Sequence, residues 1–248
     1  MLVLLALVFT VGAQNKEESV LTITNQIPYD SEETVYFETN LDSNLVNWYM
    51  TDWIVNDAEH AYSGALPPLN DSVIVSRLKM LSESSVIEFP YNDKVKTYIR
   101  VYSEKRRLLS ETVLGLKDYY FPIFEAELDR QQMPMELKYL PVIESALNPR
   151  AFSHAGASGL WQFVYGTGKW YGLNIDSYID ERRDPVEATE KAVKYLGDLY
   201  KIYNDWFLVI AAYNCGPGNV NKAIRRSGGK RDYWEIYYRL PRETRGYV

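Results

Sequence analysis

The residue with the clearest chemical potential is Glu144, which ends an apolar run from Tyr139 to Ile143. A carboxyl group in apolar surroundings loses hydration when it ionises, so its pKa is expected to rise. An acid that stays protonated near neutral pH suits general acid catalysis, including cleavage of a glycosidic bond. The alternative is an acid at a helix end that binds a nearby backbone group.

Two further stretches carry polar side chains among small residues. Ser153 and Gln162 flank a Gly- and Ala-rich segment, whose backbone can approach a bulky ligand while the Gln162 amide reaches sugar hydroxyls or an acetamido group. Tyr213 and Asn214 supply a phenol and an amide before a Gly-Pro-Gly break. Taken alone, each stretch is more typical of a tight loop or a helix cap. Trp161 is either a core residue or a sugar platform.

The elements that must position these side chains are helices. Apolar residues recur at three- and four-residue spacing from residue 91 onward, and no strand-rich region of comparable length follows. We predict a mainly α fold with a less regular N-terminal extension. Helices are predicted from Pro122 to Gln131, from the cap Asp184 through residue 203, from Trp206 to Asn214, and from Val220 onward. A further helix is predicted to begin at Pro134. A kink at Pro141 leaves Glu144 near the end of that helix.

The N-terminal part has a different character. Residues 1–13 are apolar and end in small residues, which predicts a signal peptide, although no Lys or Arg precedes the run. The run is shorter than the roughly 20 residues that span a bilayer, and a buried strand is the alternative. Residues 14–90 are predicted to form an extension, and residues 91–248 the functional domain.

Composition excludes several classes of function. Lys and Arg number 27 and Asp and Glu 33, a net charge of −6, whereas nucleic-acid binders carry a basic excess. With one cysteine, Cys215, and two distant histidines, His60 and His154, the chain has no metal-ligand spacing, so we predict no metal. No Gly-x-Ser-x-Gly elbow supports a serine hydrolase.

The three stretches together resemble the signature of family 1 lytic transglycosylases. Glu-Ser at 144–145, Gly-Leu-Trp-Gln at 159–162 and Ala-Tyr-Asn at 212–214 occur in that family's order and spacing. The flanking runs at 134–145 and 240–248 resemble the membrane-bound transglycosylase D-like subgroup. The resemblance extends over residues 91–248, with its motif core at 134–226.

This resemblance implies a lysozyme-like transglycosylase (SLT) domain that cuts the β-1,4 bond between N-acetylmuramic acid and N-acetylglucosamine without water or a cofactor. It implies that Glu144 acts first as acid and then as base, forming a 1,6-anhydromuramoyl product. Residues matching Ser153, Gln162 and Tyr213 line the groove, and those matching Tyr195 and Asn214 support its wall.

The residues themselves leave two other functions open. A hydrolase ordinarily uses two carboxylates, but the next acid after Glu144 is Asp176, and Asp180 or Asp184 would have to fold back. A muramidase that adds water and a non-catalytic peptidoglycan-binding protein therefore remain the alternatives. In each case the expected partner is the peptidoglycan glycan strand. The expected location is the periplasm, with peripheral association with the membrane or the cell wall.

Overall fold

The computed structural model describes residues 70–248. The predicted signal peptide at 1–13 and the predicted extension up to residue 69 lie outside the described residues. Within the described range the chain is helical, with isolated antiparallel bridges and no strand, which confirms the predicted mainly α class. In that same range, no helix combines the length and the apolar character that crossing a bilayer requires.

The helices follow one another with short connections. In chain order they are α1 (Asp71–Glu83), α2 (Asp93–Arg100), α3 (Arg107–Arg130), α4 (Leu140–Ser145), α5 (Tyr165–Trp170), α6 (Pro185–Tyr203), α7 (Trp206–Cys215), α8 (Pro217–Arg226), α9 (Tyr233–Ile236) and α10 (Arg242–Arg245). A π-helical turn, Val101–Lys105, continues α2, and 3₁₀ turns span Met135–Tyr139, Glu181–Arg183 and Tyr237–Arg239.

Helix α7 is at the centre of the packing. Its residues 208–212 are all buried, so it has no polar face of the kind that a surface helix shows. It contacts α6 on one side and α8 on another, while the long helix α3 packs on α6. Ile74, Leu78, Ile87 and Phe89 belong to the same hydrophobic core, although the domain boundary predicted after residue 90 stays a prediction.

Helix α6 begins where the sequence predicts. The Asp184 carboxylate accepts hydrogen bonds from the backbone amides of Val186 and Glu187, at 2.8 and 2.9 Å, and Pro185 occupies the first turn. These bonds satisfy amide groups that have no partner within the helix. The cap fixes the start of the helix that carries Tyr195.

The predicted start of a helix at Pro122 is wrong, because α3 runs through this residue without a break. A proline inside a helix removes one backbone donor and leaves the carbonyl four residues earlier without its usual partner. Pro122 is on the exposed face of α3, where water can satisfy that carbonyl. Its buried neighbours Phe121 and Phe124 keep the helix packed on the core.

The helix predicted from Pro134 is instead a 3₁₀ turn followed by a short α-helix, but its predicted end near Glu144 is confirmed. The 3₁₀ turn Met135–Tyr139 leads into α4, and Pro141 lies in its first turn. Ala146 and Leu147 then adopt left-handed backbone angles, with φ of 52° and 62°, and end the helix. Glu144 is therefore the last residue but one of α4.

The segment from residue 151 to residue 163 is held by one buried guanidinium rather than by regular structure. Arg182 is 6% exposed, and its Nη1 donates to the carbonyl oxygens of Gly156 at 2.8 Å and Phe163 at 3.2 Å. The Asp180 carboxylate accepts from Nε and Nη2 of the same side chain, each at 2.8 Å. A buried charge is tolerated when it is paired and its donors are satisfied, as here.

A Gly159→Ala exchange tests how closely this loop packs against the backbone of Arg182. Gly159 has a φ of +82°, and an added Cβ would lie 1.7 Å from the Arg182 carbonyl oxygen. Gly156 is the matched control, because its φ of +78° imposes similar strain but nothing lies within 4 Å of an added Cβ. We expect urea denaturation to show a loss of about 1–2 kcal/mol for Gly156→Ala and at least about 3 kcal/mol for Gly159→Ala. Equal losses would contradict the close packing of this loop against residue 182.

Candidate active site

Glu144 has the environment that its sequence context predicts. The side chain is part-buried at the end of α4, and loss of hydration raises its pKa to about 7. A hydrogen bond from Tyr247 acts in the opposite direction and lowers the pKa, but burial is the larger effect. At neutral pH the group is therefore divided between its acid and its carboxylate forms.

The Tyr247 hydroxyl donates to Oε1 of Glu144 at 2.5 Å. Tyr247 is 4% exposed, and burial together with the nearby Glu144 charge raises its pKa well above the ordinary value. The phenol thus stays protonated and remains a donor. Tyr247 thus holds the Glu144 carboxyl group in place although it lies 103 positions further along the chain.

A row of aromatic rings leads toward the acid. The Tyr213 ring lies 5.4 Å from that of Tyr195, which lies 5.1 Å from that of Tyr171. The pKa of Tyr213 is raised well above the ordinary value, first by burial and then by the Glu144 charge, so these two groups are close. The Tyr213 hydroxyl donates to the Trp161 carbonyl oxygen at 2.8 Å, which ties α7 to the loop.

The two predicted loop residues make contacts within their own segment. The Ser153 hydroxyl accepts from the Ala157 amide at 3.0 Å. Gln162 has a φ of 49°, and its Nε2 donates to the Gly159 carbonyl oxygen at 2.9 Å. Both side chains are only part-buried, so they remain accessible from outside this loop.

Trp161 is a core residue rather than a sugar platform. It is fully buried, its ring meets that of Phe124 edge to face at 5.3 Å, and its Nε1 donates to the Thr189 hydroxyl at 2.9 Å. The neighbouring Leu160 carbonyl accepts from the hydroxyl of Ser145 at 3.0 Å. The loop is thereby anchored to α6 and to α4, next to Glu144.

Asn214 faces the C-terminal helix. Its Oδ1 accepts from the hydroxyl of Thr244, which is fully buried, at 2.9 Å. This bond joins the end of α7 to α10 and so helps to place Tyr247, three residues after Thr244. The predicted role of Asn214 in supporting the groove wall stays a prediction.

The acids that might have supplied a second carboxylate are engaged elsewhere. Asp176 accepts from the backbone amides of Tyr178 and Ile179, Asp180 pairs with Arg182, and Asp184 caps α6. Residues 70–248 contain no group of three or more His, Cys, Asp and Glu side chains arranged to hold a metal ion.

Two residues that shape the site were missed by sequence reasoning. Tyr247 lies in the C-terminal run that carries part of the resemblance, but its partner is 103 positions away. Arg182 follows Asp180 in an ordinary polar stretch, and only its burial reveals that it clamps the loop. No local pattern marks Arg182, and the run that contains Tyr247 does not indicate its partner.

Comparison with known proteins identifies the domain. The family model described as "Transglycosylase SLT domain" matches residues 121–236. The chain is also 38% identical over 163 residues to membrane-bound lytic murein transglycosylase D of Escherichia coli K12, which covers 64% of this chain and 35% of that relative. It is 36% identical over 111 residues to the soluble lytic murein transglycosylase of the same strain, covering 42% of this chain and 17% of that relative.

Residues 121–236 thus match an SLT domain. The solved structure of the 70-kDa soluble lytic transglycosylase SLT70 from Escherichia coli has the same fold, with a TM-score of 0.51, 21% identity, and coverage of 98% of this chain and 38% of that one. The predicted lysozyme-like transglycosylase fold is thus confirmed. The chain spans about a third of the length of its membrane-bound relative.

The matched SLT domain contains Glu144 and every other predicted site residue, namely Ser153, Gln162, Tyr195, Tyr213 and Asn214. Tyr247 lies eleven positions beyond its last matched residue, 236. The surroundings of Glu144 therefore include a residue, Tyr247, that lies outside the matched SLT domain.

The raised pKa of Glu144 predicts a stability effect with a defined sign. Below pH 4 the carboxyl is protonated in both the folded and the unfolded chain. Between the ordinary glutamate value of 4.5 and the folded value of about 7 the unfolded chain loses the proton first, so stability falls as pH rises. Glu144→Gln cannot ionise, and we expect it to be more stable than wild type at pH 8 by about 3 kcal/mol.

Urea denaturation at pH 4 and pH 8 measures this difference, which should be absent at the lower pH. Glu190→Gln is the matched control, because Glu190 is exposed and its pKa is lowered by Lys191 rather than raised. An equal gain from both exchanges at pH 8 would contradict the burial effect.

Proposed function

We propose that this chain is a peptidoglycan lytic transglycosylase that cleaves the β-1,4 bond between N-acetylmuramic acid and N-acetylglucosamine without water. The observation that carries the proposal is the part-buried Glu144, with a pKa of about 7 and a hydrogen bond from Tyr247. The SLT domain and the names of the relatives support the reaction class and the murein substrate. The 70-kDa soluble lytic transglycosylase, whose fold this chain shares, has also been solved as a complex with bulgecin A.

The first step requires Glu144 in its acid form. Its proton passes to the glycosidic oxygen while the bond from that oxygen to C1 of the muramoyl residue breaks. Positive charge that develops at C1 is stabilised by the substrate's own acetamido group. The raised pKa makes the proton available near neutral pH, since a fully hydrated carboxyl would already have lost it.

The second step uses the same group as a base. The Glu144 carboxylate takes the proton of the muramoyl C6 hydroxyl, whose oxygen bonds to C1 and closes the 1,6-anhydro ring. Atoms balance without water, and Glu144 returns to its acid form. The engagement of Asp176, Asp180 and Asp184 elsewhere favours this route over one with a second carboxylate.

The remaining site residues are proposed to form the groove. Gln162 and Ser153 lie on the anchored loop, and Tyr213 and Tyr195 lie in the row of rings that leads to the acid. Aromatic rings stack on sugar faces and phenols bind sugar hydroxyls, so this wall suits a glycan strand. We propose that the enzyme acts in the periplasm at the cell wall, with peripheral membrane or wall association, and uses neither metal nor cofactor.

Mass spectrometry of the muropeptides released from purified peptidoglycan tests the reaction. We expect wild type to release products about 18 Da lighter than hydrolysed disaccharide peptides, because the ring closure replaces water. Glu144→Gln should release none while still binding glycan, and Glu190→Gln should act like wild type. Hydrated products would indicate a muramidase, and activity retained by Glu144→Gln would refute the role of this residue.

The pH dependence of kcat/KM tests whether Tyr247 acts on the pKa of Glu144. Tyr247→Phe removes a hydrogen bond that lowers the pKa of Glu144, so that pKa should rise further. Activity requires the protonated acid, and we therefore expect the alkaline limb of kcat/KM to move to higher pH. Loss of positioning should lower kcat by about tenfold.

Tyr233→Phe is the matched control for this profile. It also removes a buried phenol from the C-terminal segment, but the Tyr233 hydroxyl donates to the Arg245 carbonyl oxygen at 2.9 Å. This control should leave the alkaline limb in place even if it lowers stability. A limb that moves equally in both variants would contradict a direct effect of Tyr247.

A further inference from the structure

A basic cavity lies beside the C-terminal helix, and neither the acid nor the row of rings accounts for it. Its volume is about 510 Å³, within the range of cavities that hold small ligands. We call it the cationic pocket. The positively charged residues that line it are Lys222, Arg226, Arg239, Arg242 and Arg245. No acidic side chain is among its lining residues, although the chain as a whole has a net charge of −6.

Three of these cations have no carboxylate partner among the described residues. Within residues 70–248, Lys222, Arg226 and Arg239 form no ion pair with a carboxylate. Arg239 donates from Nε to the Arg226 carbonyl oxygen at 3.1 Å, and Arg245 donates from Nη2 to the Tyr238 carbonyl oxygen at 2.9 Å. A backbone acceptor thus orients the Arg239 guanidinium while leaving its charge available to a ligand.

The pocket and the active site share helix α10. Arg242 and Arg245, three positions apart, line the pocket from one face of this helix. From the other face Thr244 donates to Asn214, and Tyr247 just beyond it holds Glu144. The pocket and the contact with Asn214 therefore lie on different sides of one helix, and a helix is about 10 Å across.

We propose that the cationic pocket binds the carboxylates of the peptide stems that branch from the glycan strand. The inference rests on the proposed function, because it places a strand in the neighbouring groove. An extended stem of four residues reaches about 13 Å, enough to pass the single turn of α10. Guanidinium groups bind carboxylates through paired hydrogen bonds, and a concave site admits a short peptide more readily than the flat surface of a bilayer.

Steady-state kinetics on two substrates tests the inference. One substrate is glycan strands with their stems, and the other is the same strands after an amidase has removed them. The variant Lys222→Gln/Arg226→Gln removes two charges that make no internal hydrogen bond. We expect its KM for stem-bearing strands to rise about tenfold with kcat unchanged, and its KM for stem-free strands to equal that of wild type.

The matched control is Lys79→Gln/Arg225→Gln, which removes the same charge from exposed positions outside the pocket. Arg225 is next to Arg226, so this control also tests whether general charge loss near α8 is enough. Equal KM changes in the two double variants, or a KM change on both substrates, would overturn the inference.

Calorimetry with a free acidic stem peptide separates this inference from the proposed function, because it requires no turnover. If the pocket variant binds the peptide about tenfold more weakly than wild type, the inference is supported. This holds even if wild type cleaves no strand, and in that case only the proposed function fails. Cleavage by wild type together with peptide binding that the variant leaves unchanged overturns the inference alone. The variant could instead abolish binding to anionic phospholipid vesicles and leave peptide binding unchanged. That result overturns the inference and assigns the pocket to a membrane surface.

Discussion

The architecture around the site depends on keeping one carboxyl group, that of Glu144, partly out of water. Helix α4 has only six residues and cannot provide such an environment by itself. The surroundings come instead from Tyr213 on α7, from the loop anchored by Trp161, and from Tyr247 beyond α10. An ionised group in this position lowers folded-state stability, and the apolar packing of α3, α6 and α7 offsets that loss.

The loop beside the acid relies on polar contacts because it has almost no regular structure. A buried guanidinium, that of Arg182, binds two of its carbonyl oxygens and is balanced by Asp180. Gly159 brings the backbone so close to residue 182 that no side chain fits. Rigid loops of this kind can hold Gln162 and Ser153 in fixed positions without a strand or a long helix beneath them.

Features that depend on neighbours in sequence are those that the sequence predicts well. The cap at Asp184, the helix end near Glu144 and the helical class follow from local spacing. The continuity of α3 through Pro122 does not, because it depends on which face of the helix the proline occupies. The Tyr247 contact and the Arg182 clamp join distant segments, so they become visible only in three dimensions.

The bond between Tyr247 and Glu144 also has a consequence for the order in which the site forms. It joins residues 103 positions apart, and contacts of this separation form late because a long loop must close first. During synthesis α4 leaves the ribosome well before residue 247 does. The nascent chain therefore holds the Glu144 carboxyl in incomplete surroundings until residue 247 has emerged, so full burial of this group comes after α4 has formed.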